Sequence, residues 1–236
     1  CFLVNGVKVF WKGSNWVPCD ALHSRDASRY RRSLEMAVEC NCNALRCWGG
    51  NVYEDDAFFD FCDEKGLMIW QDFAMACALY PQDEAFLGVM RGEAEAIVRK
   101  LRNHPSLILW SGDNECDAAA TWGGNRIDPA TNRITREVLP QVVTRLDPTR
   151  PYLASSPYIA PVVFEKKLEG VAPEEHLWGP RDYYKSAYYR NAPAHFVSET
   201  GYHGCNNLSS MQTFLSPDKL WPWQDNDEWI THAAES

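Results

Sequence analysis

The sequence of 236 residues lacks the signatures of several large enzyme classes. It has no GxSxG nucleophile elbow, no HExxH zinc motif, no phosphate-binding glycine loop and no dinucleotide fingerprint, so it indicates none of the chemistries that those motifs support. No apolar run approaches the length that a membrane-spanning helix needs. A net charge of −9 argues against binding to a nucleic-acid backbone. We therefore expect neither a nucleic acid nor a membrane as a partner.

Metal-binding patterns are missing as well. The nine cysteines include no CxxC pair, and the spacing of Cys40 and Cys42 suits a metal poorly. His104 and His176 also lack metal-ligand spacing, and His104 with Pro105 is interpreted as a structural joint. The sequence therefore predicts no metal, no cofactor, and thiols that are reduced and mostly buried.

The pattern that is present is an alternation of short apolar strands and helices, which is typical of a parallel α/β fold. An Asn-Gly pair within residues 3–10 predicts a tight hairpin ahead of the first strand. We count seven strands and no eighth, at 11–16, 44–48, 67–71, 106–111, 152–155, 176–178 and 196–199. Helices are predicted at 27–40, 55–65, 82–102, 135–146 and 181–190, with a long loop after Pro217.

The length is most simply that of one domain, which we place at residues 1–236. The predicted fold class is α/β, a (β/α)8 TIM barrel that is incomplete in this chain because the eighth strand is missing. We expect the domain to be a fragment of a larger multidomain enzyme.

Two glutamates carry the functional prediction. Glu115 and Glu199 each follow a short apolar run and precede or lie within a glycine-containing loop, 84 residues apart. In a parallel barrel the C-terminal strand ends converge on the face that holds the active site. Two carboxylates meeting there would supply the proton donor and the nucleophile or base of a glycosidase. Taken singly, each glutamate could instead be a solvated loop charge.

Polar and aromatic residues at the other strand ends extend this prediction. Asn114 could donate to a sugar 2-hydroxyl, and an aromatic, water-poor site would raise the pKa of Glu115 as a general acid requires. Arg46 could keep a nucleophilic carboxylate ionised or could form a structural ion pair, and the spacing alone does not separate these alternatives. The remaining strand-end candidates for a pocket rim are Trp48, Asp72 and Trp178.

Four segments resemble the catalytic barrel of glycoside hydrolase family 2 in its β-mannosidase branch. They are VNGVKVFWKGSNWVPCD at 4–20, NALRCWGGNVYEDDAFFDFCDEKGLMIWQDFAMACALYP at 43–81, LRNHPSLILWSGDNE at 101–115 and HFVSETGYHG at 195–204. The resemblance implies a retaining exo-β-glycosidase in which Glu115 is the acid/base and Glu199 is the nucleophile. It also implies a substrate-binding subsite, for which the candidates are Asn114, Arg46, Trp48, Asp72, Trp178 and His176.

The resemblance further implies a carbohydrate substrate, most simply a terminal β-mannoside, and no metal or organic cofactor. Residues 176–185 depart from the pattern typical of β-mannosidases, so a β-glucosaminidase, β-galactosidase or β-glucuronidase stays open. A catalytically inactive barrel that binds carbohydrate is the alternative from another functional class. Family members also carry flanking β-sandwich domains, which we expect as partners of this barrel in the full-length chain.

Overall fold

The computed structural model describes residues 2–167, 174–179, 185–201 and 204–232. It opens with the predicted hairpin, formed by strands β1 (Phe2–Val4) and β2 (Val7–Val9). Asn5 and Gly6 at its tip both have positive φ, 50° and 79°, which is the backbone of a two-residue turn matched to the twist of a hairpin.

A parallel five-stranded sheet follows, and its spatial order is the order of the chain. Its strands are β3 (Gly13–Trp16), β4 (Ala44–Cys47), β5 (Met68–Asp72), β6 (Leu107–Ser111) and β7 (Tyr152–Leu153). A separate parallel pair consists of β8 (Glu174–Leu177) and β9 (Phe196–Thr200). All seven predicted strands are therefore found. Among the described residues no ladder joins β7 to β8 or β9 to β3, so the barrel is open. The gap between β9 and β3 is the one expected for a TIM barrel that lacks its eighth strand.

Helices connect the strands. In the described residues they are α1 (Tyr30–Glu39), α2 (Asp56–Lys65), α3 (Glu84–Leu101), α4 (Cys116–Ala119), α5 (Leu139–Leu146), α6 (Pro161–Lys166), α7 (Ala187–Arg190), α8 (Leu208–Met211) and α9 (Asp227–His232). The carboxylates of Asp55 and Asp83 cap the first turns of α2 and α3. Gly66 ends α2 in the left-handed conformation, as its position after Lys65 predicts. None of the helices in the described part of the chain is long and apolar enough to cross a membrane.

Three helix predictions differ from the structure. Residues 23–28 form a separate 3₁₀ turn, so α1 begins at Tyr30 and not at residue 27. A π-helical turn, Ile134–Val138, precedes α5 inside the predicted helix at 135–146. The predicted helix at 181–190 is described only from residue 185 onward, where α7 covers its end.

The segment after Pro217 was predicted to be a loop, and that prediction is wrong. It contains a 3₁₀ turn, Pro217–Lys219, and the helix α9. Glu228 holds the two together by accepting from the backbone N–H and hydroxyl of Ser216, at 2.6 and 2.7 Å. Asn226 adds side-chain contacts to both neighbours, so short-range polar bonds stabilise a fold that apolar periodicity does not reveal.

The main core lies between the five-stranded sheet and the helices outside it. Phe58, Phe59, Ile69, Leu107 and Trp110 are almost completely buried there. Burying each such side chain stabilises the fold by about 1.5–3 kcal/mol. The strands of this sheet are therefore a rigid base for the residues at their ends.

The prediction of mostly buried thiols is wrong, because only Cys47, Cys62 and Cys116 are buried among the eight described free cysteines.

A second packing layer lies inside the barrel and joins β9 to the sheet. Phe196 stacks on Trp70 with ring centroids 6.1 Å apart and contacts Trp11 at 5.8 Å. Phe2 of the hairpin stacks on Trp11 at 4.0 Å. These aromatic contacts hold the β8–β9 pair opposite β5 where no backbone ladder does so.

Candidate active site

The predicted polar residues converge at the C-terminal ends of the strands, which is where TIM barrels carry their sites. Arg46 lies at the centre of this group. Its guanidinium donates to Asp72 at 2.7 Å, to Asn114 Oδ1 at 2.8 Å and to Glu199 Oε2 at 3.1 Å. Arg46 therefore forms a structural ion pair with Asp72 and also contacts the carboxylate of Glu199, and its effect on the charge of that carboxylate stays a prediction. Burial alone would lower the pKa of Arg46, but the charges of Asp72 and Glu199 raise it, and the side chain stays cationic.

Glu115 follows β6 in an uncommon backbone conformation. Its φ of 59° and ψ of 16° place it in the left-handed region at the start of α4. A non-glycine residue there stores about 1–3 kcal/mol of strain, which persists only where surrounding contacts fix it. Its N–H donates to the carbonyl of Ser156 at 2.8 Å, and the preceding Asn114 is bonded to Met75 and Cys77 backbone groups.

The carboxylate of Glu115 has two protein partners. Oε1 lies 2.7 Å from His176 Nδ1, and Oε2 accepts from the Cys77 thiol at 3.4 Å. Burial raises the pKa of Glu115, but the hydrogen bond and charge of His176 outweigh burial and the net pKa is lowered. The expectation of a raised pKa is thus wrong for this structure, since it considered desolvation and not the histidine 61 residues further along the chain.

Glu199 lies on β9, and its Oε2 is 3.6 Å from His176 Nδ1, the nitrogen that also contacts Glu115. Glu199 Oε1 accepts from Trp178 Nε1 at 2.8 Å, and Glu199 Oε2 faces Arg46. The register between β8 and β9 shifts by one residue, because His176 pairs with Glu199 while Glu175 pairs with Val197. The extra residue, Ser198, lets two consecutive side chains of β9 face the same interior, an effect typical of bulges near active sites.

The distance between the two glutamates follows from this arrangement. Single ligand atoms of Glu115, His176 and Glu199 all lie within 4.8 Å of one another. The two carboxylate side chains are 14% and 12% exposed, so both reach solvent while most of their surface is covered. The sequence prediction that the two acids meet at the strand ends is what this geometry displays.

Asp72 and Asn114 lie beneath the site. Asp72 is 1% exposed and accepts from Arg46, Trp70 and the N–H of Gly49. Asn114 is also 1% exposed, and its amide donates to Cys77 Sγ at 3.4 Å. In this structure both residues contact Arg46 or its neighbours rather than open space.

A cavity of about 460 Å³ adjoins the carboxylate of Glu199 and opens between β3 and β9. Glu199 and Arg46 line it together with flat aromatic side chains, which suit the apolar faces of sugar rings. The indole rings in its lining belong to Trp11, Trp48, Trp70 and Trp178. Glu115 does not line this cavity. Arg46 is the only cationic side chain among the described lining residues.

Two groups of the described residues have possible metal-ligand atoms close together. Glu115, His176 and Glu199 are close enough to share a cation, but Arg46 already supplies a positive charge to Glu199. A second group, Asp60, Asp63 and His104, lies near the start of β6. Asp63 there accepts from His104 and from the N–H of Ser106, which agrees with a structural joint at His104.

Three residues of the site carried no clear sequence signal. Ser156 follows β7 and Glu174 begins β8, and both lie against His176. Cys77, the thiol beside Glu115, has a φ of 53°. The regular spacing of strand ends could have pointed to Ser156, whereas Glu174 and Cys77 become visible only in three dimensions.

An open parallel barrel with its polar side chains gathered at the C-terminal strand ends is a TIM-barrel domain. Residues 1–166 match the family described as "Glycosyl hydrolases family 2, TIM barrel domain". The chain belongs to glycoside hydrolase family 2, as the four sequence segments predict.

The proteins that are similar over nearly the whole chain include beta-mannosidases. The chain is 38% identical to a beta-mannosidase of Capra hircus over 95% of its own length and 27% of that relative. A beta-D-mannosidase structure from Dictyoglomus thermophilum superposes with a TM-score of 0.86 at 38% identity, covering 98% of this chain and 28% of that one. A Bacteroides uniformis beta-glucuronidase, 19% identical over 73% of this chain and 21% of its own, has a TM-score of 0.58 and shares the fold. The chain thus spans about a quarter of its curated relatives, which contain further polypeptide.

Proposed function

We propose that this chain is the catalytic barrel of a retaining exo-β-glycosidase that removes terminal β-linked mannose. The observation that carries the proposal is the pair of carboxylates, Glu115 and Glu199, whose oxygens approach within 4.8 Å in two different environments. Retaining enzymes hold their carboxyl groups about 5–5.5 Å apart, whereas inverting enzymes need about 6.5–9.5 Å to admit a water. The short separation therefore supports double displacement.

In the first step, Glu199 attacks the anomeric carbon while the bond from that carbon to the leaving oxygen breaks. The leaving oxygen takes the proton of Glu115, so a neutral alcohol departs and a glycosyl ester forms on Glu199. Arg46 donates to Glu199 Oε2 at 3.1 Å and Trp178 Nε1 donates to Oε1 at 2.8 Å, so both oxygens of the nucleophile are held in place.

In the second step, the carboxylate of Glu115 takes a proton from water, whose oxygen attacks the anomeric carbon. The ester bond to Glu199 breaks, the sugar leaves with its original configuration, and both side chains return to their starting states. The two residues need different environments because one must carry a proton and the other must not. The two carboxylates do have different partners, His176 beside Glu115 and Arg46 beside Glu199.

The nature of the sugar rests on two observations. The relatives that cover nearly the whole chain are named beta-mannosidases. In the described lining of the cavity the one cation, Arg46, is already engaged by Asp72, Asn114 and Glu199. A sugar carboxylate would find no additional cation there, which favours a neutral hexoside over a glucuronide.

The roles of the two glutamates can be tested on the full-length enzyme. We expect Glu115→Gln to keep glycosylation by substrates with good leaving groups, because little protonation is then required, and azide should restore turnover. Glu199→Gln should form no covalent intermediate with a fluorosugar. Glu175→Gln, on the neighbouring strand, is the control and should behave as the wild type. A fluorosugar trapped on Glu199→Gln would refute the assignment.

A panel of chromogenic glycosides separates the alternatives. If kcat/KM is highest for the β-mannoside, the proposal is supported. If it is highest for a β-glucosaminide, β-galactoside or β-glucuronide, another sugar is the substrate. Binding of mannose without hydrolysis of any glycoside in the panel would instead support a carbohydrate-binding barrel that lacks catalysis.

A further inference from the structure

A third carboxylate, Glu174, lies behind the histidine that contacts Glu115. Glu174 and His176 are two residues apart on β8 and so face the same side of the strand. Glu174 Oε1 accepts from the hydroxyl of Ser156 at 2.6 Å and from that of Ser198, while its Oε2 is buried without a hydrogen-bond partner. The same Ser156 oxygen lies 3.0 Å from His176 Nε2.

We propose that Glu174 and Ser156 are positioning residues that fix a proton on His176 Nε2, so that Nδ1 shares a single proton with the acid/base Glu115. The inference rests on the proposed function, since it concerns how the acid of that reaction keeps its proton. It assigns His176 a role toward Glu115 in addition to substrate binding.

The argument is a count of donors. Ser156 has one hydroxyl proton, and an ionised Glu174 can only accept, so the 2.6 Å contact directs that proton to Glu174. The lone pairs of Ser156 Oγ then face His176 Nε2 at 3.0 Å, so Nε2 is the donor in this contact. Arg46 Nη1 also lies 3.4 Å from Nε2, but that contact is longer, and this nitrogen has a closer acceptor in Glu199 at 3.1 Å. The 2.7 Å contact between Nδ1 and Glu115 Oε1 is left with one proton, which sits on either partner.

The charges around the histidine decide how firmly this proton is held. The ionic groups that face His176 or its partner are Glu174 at 3.7 Å from Nε2, Glu199 at 3.6 Å from Nδ1, Arg46 at 3.4 Å from Nε2, and Glu115 itself, with the Cys77 thiol on its other oxygen. Asp72 acts on the group through Arg46. Glu174 and Glu199 favour retention of the proton, and Arg46 opposes it.

Replacing Glu174 by glutamine should weaken the affinity of the His176–Glu115 pair for its shared proton, for two reasons that act in the same direction. The negative charge at 3.7 Å is lost. In addition, the amide can donate to Ser156, whose hydroxyl then turns to Nε2, and the histidine donates from Nδ1 to an ionised Glu115. That state has no proton ready for a leaving group.

The test is the pH dependence of kcat/KM for the full-length enzyme on a β-mannoside with a poor, alkyl leaving group. We expect the alkaline limb to move down by about one pH unit in Glu174→Gln, the scale of one charge contact within a few ångström. Ser156→Ala should move it down by less, because that variant keeps the charge of Glu174 and loses only the bridging hydroxyl. The shift should be smaller for an aryl mannoside with a good leaving group. Glu175→Gln, the adjacent residue on β8, should leave both limbs in place.

Unchanged alkaline limbs in both variants would overturn the inference, and a shift in either variant with unaltered far-UV circular dichroism supports it. If Glu174→Gln does not fold, Ser156→Ala decides alone, because it removes the bridging hydroxyl and leaves the charge. The result also separates this inference from the proposed function. Full activity of Glu115→Gln on the alkyl mannoside would refute the proposed function. If Glu115→Gln is inactive but the pH profiles of Glu174→Gln and Ser156→Ala are unshifted, only the positioning role of Glu174 and Ser156 is refuted.

Discussion

At the scale of single residues, Arg46 organises the site because its planar guanidinium reaches three acceptors at once. Asp72, Asn114 and Glu199 come from three different strands or strand ends, and all lie within 3.1 Å of its terminal nitrogens. A lysine would keep the positive charge but offers a single nitrogen on a flexible stem.

We therefore expect Arg46→Lys to lower kcat/KM on the order of a hundredfold, the cost of misplacing a catalytic group by about 1 Å. Steady-state kinetics of the full-length enzyme measure this. Arg91→Lys is the matched control, because the guanidinium of Arg91 on α3 makes a solvent-exposed contact with Gln141 of α5. A wild-type kcat/KM for Arg46→Lys would show that charge alone suffices.

Asp113, two residues before Glu115, gives a pH-dependent stability prediction. Burial raises the pKa of Asp113 to about 7, although Ser155 and the N–H of Cys116 donate to its Oδ1, and its Oδ2 has no partner. The folded state therefore keeps a proton that the unfolded state releases near pH 4, and stability falls as pH rises through this window.

Between pH 5 and pH 7 the loss of this proton should lower the free energy of unfolding of the wild type by about 2 kcal/mol. Asp113→Asn cannot titrate, so its stability should fall less over the same interval, as calorimetry at the two pH values would record. The exposed Asp218→Asn is the control. Equal slopes for wild type and Asp113→Asn would show that the carboxylate is ionised when buried.

At the scale of elements, the short helix α4 fixes the strained backbone of Glu115. Its second residue, Asp117, is fully buried and accepts from Arg136 at 2.6 Å and from the N–H of Ile159 at 3.0 Å. These bonds tie α4 to the π-helical turn before α5 and to the segment before α6.

Asp117→Asn should therefore destabilise the domain by about 3 kcal/mol, because it leaves the mostly buried Arg136 without its anion. It should also reduce activity, since Glu115 loses the anchor of its helix. Denaturant unfolding and kinetics of the full-length enzyme measure both. Glu137→Gln removes an exposed pair with Arg133 and should cost less than about 1 kcal/mol. Similar losses in the two variants would contradict the burial argument.

The elements also show what sequence could and could not foresee. Short apolar runs located the central strands β4, β5 and β6, since a parallel strand buried on both faces must be apolar. The pairing of Arg46 with Glu199 was open from spacing alone, because those residues are 153 positions apart. The lowered pKa of Glu115 could not be predicted either, since it depends on which way His176 faces, and that is set by strand register.

At the scale of the whole molecule, the open barrel predicts the behaviour of this polypeptide made alone. The outer edges of β3 and β9 have no backbone partner among the described residues, and such edges pair with other chains. Large apolar side chains are exposed as well, including Phe10 at 82% and Trp221 at 70%.

We expect the isolated 236-residue chain to bind a hydrophobic dye, to associate, and to lose its structure over a broad temperature range. Light scattering, dye fluorescence and calorimetry would record these properties, with the full-length enzyme as the reference. A monodisperse chain with one sharp transition would contradict the expectation.

The interruption between β7 and β8 also has a mechanical consequence. Glu115 belongs to the five-stranded sheet and Glu199 to the β8–β9 pair, so the distance between them spans a seam that no ladder of backbone bonds crosses in the described chain. Among the described residues, side chains connect the two parts: the ion pair of Arg46 with Glu199, the stacked rings of Trp70 and Phe196, and the contact of Ser156 with His176. We expect gentle warming or added salt to shift the β8–β9 pair relative to the five-stranded sheet before either of them unfolds. The enzyme would then lose its catalytic spacing while its circular dichroism is still that of an intact fold.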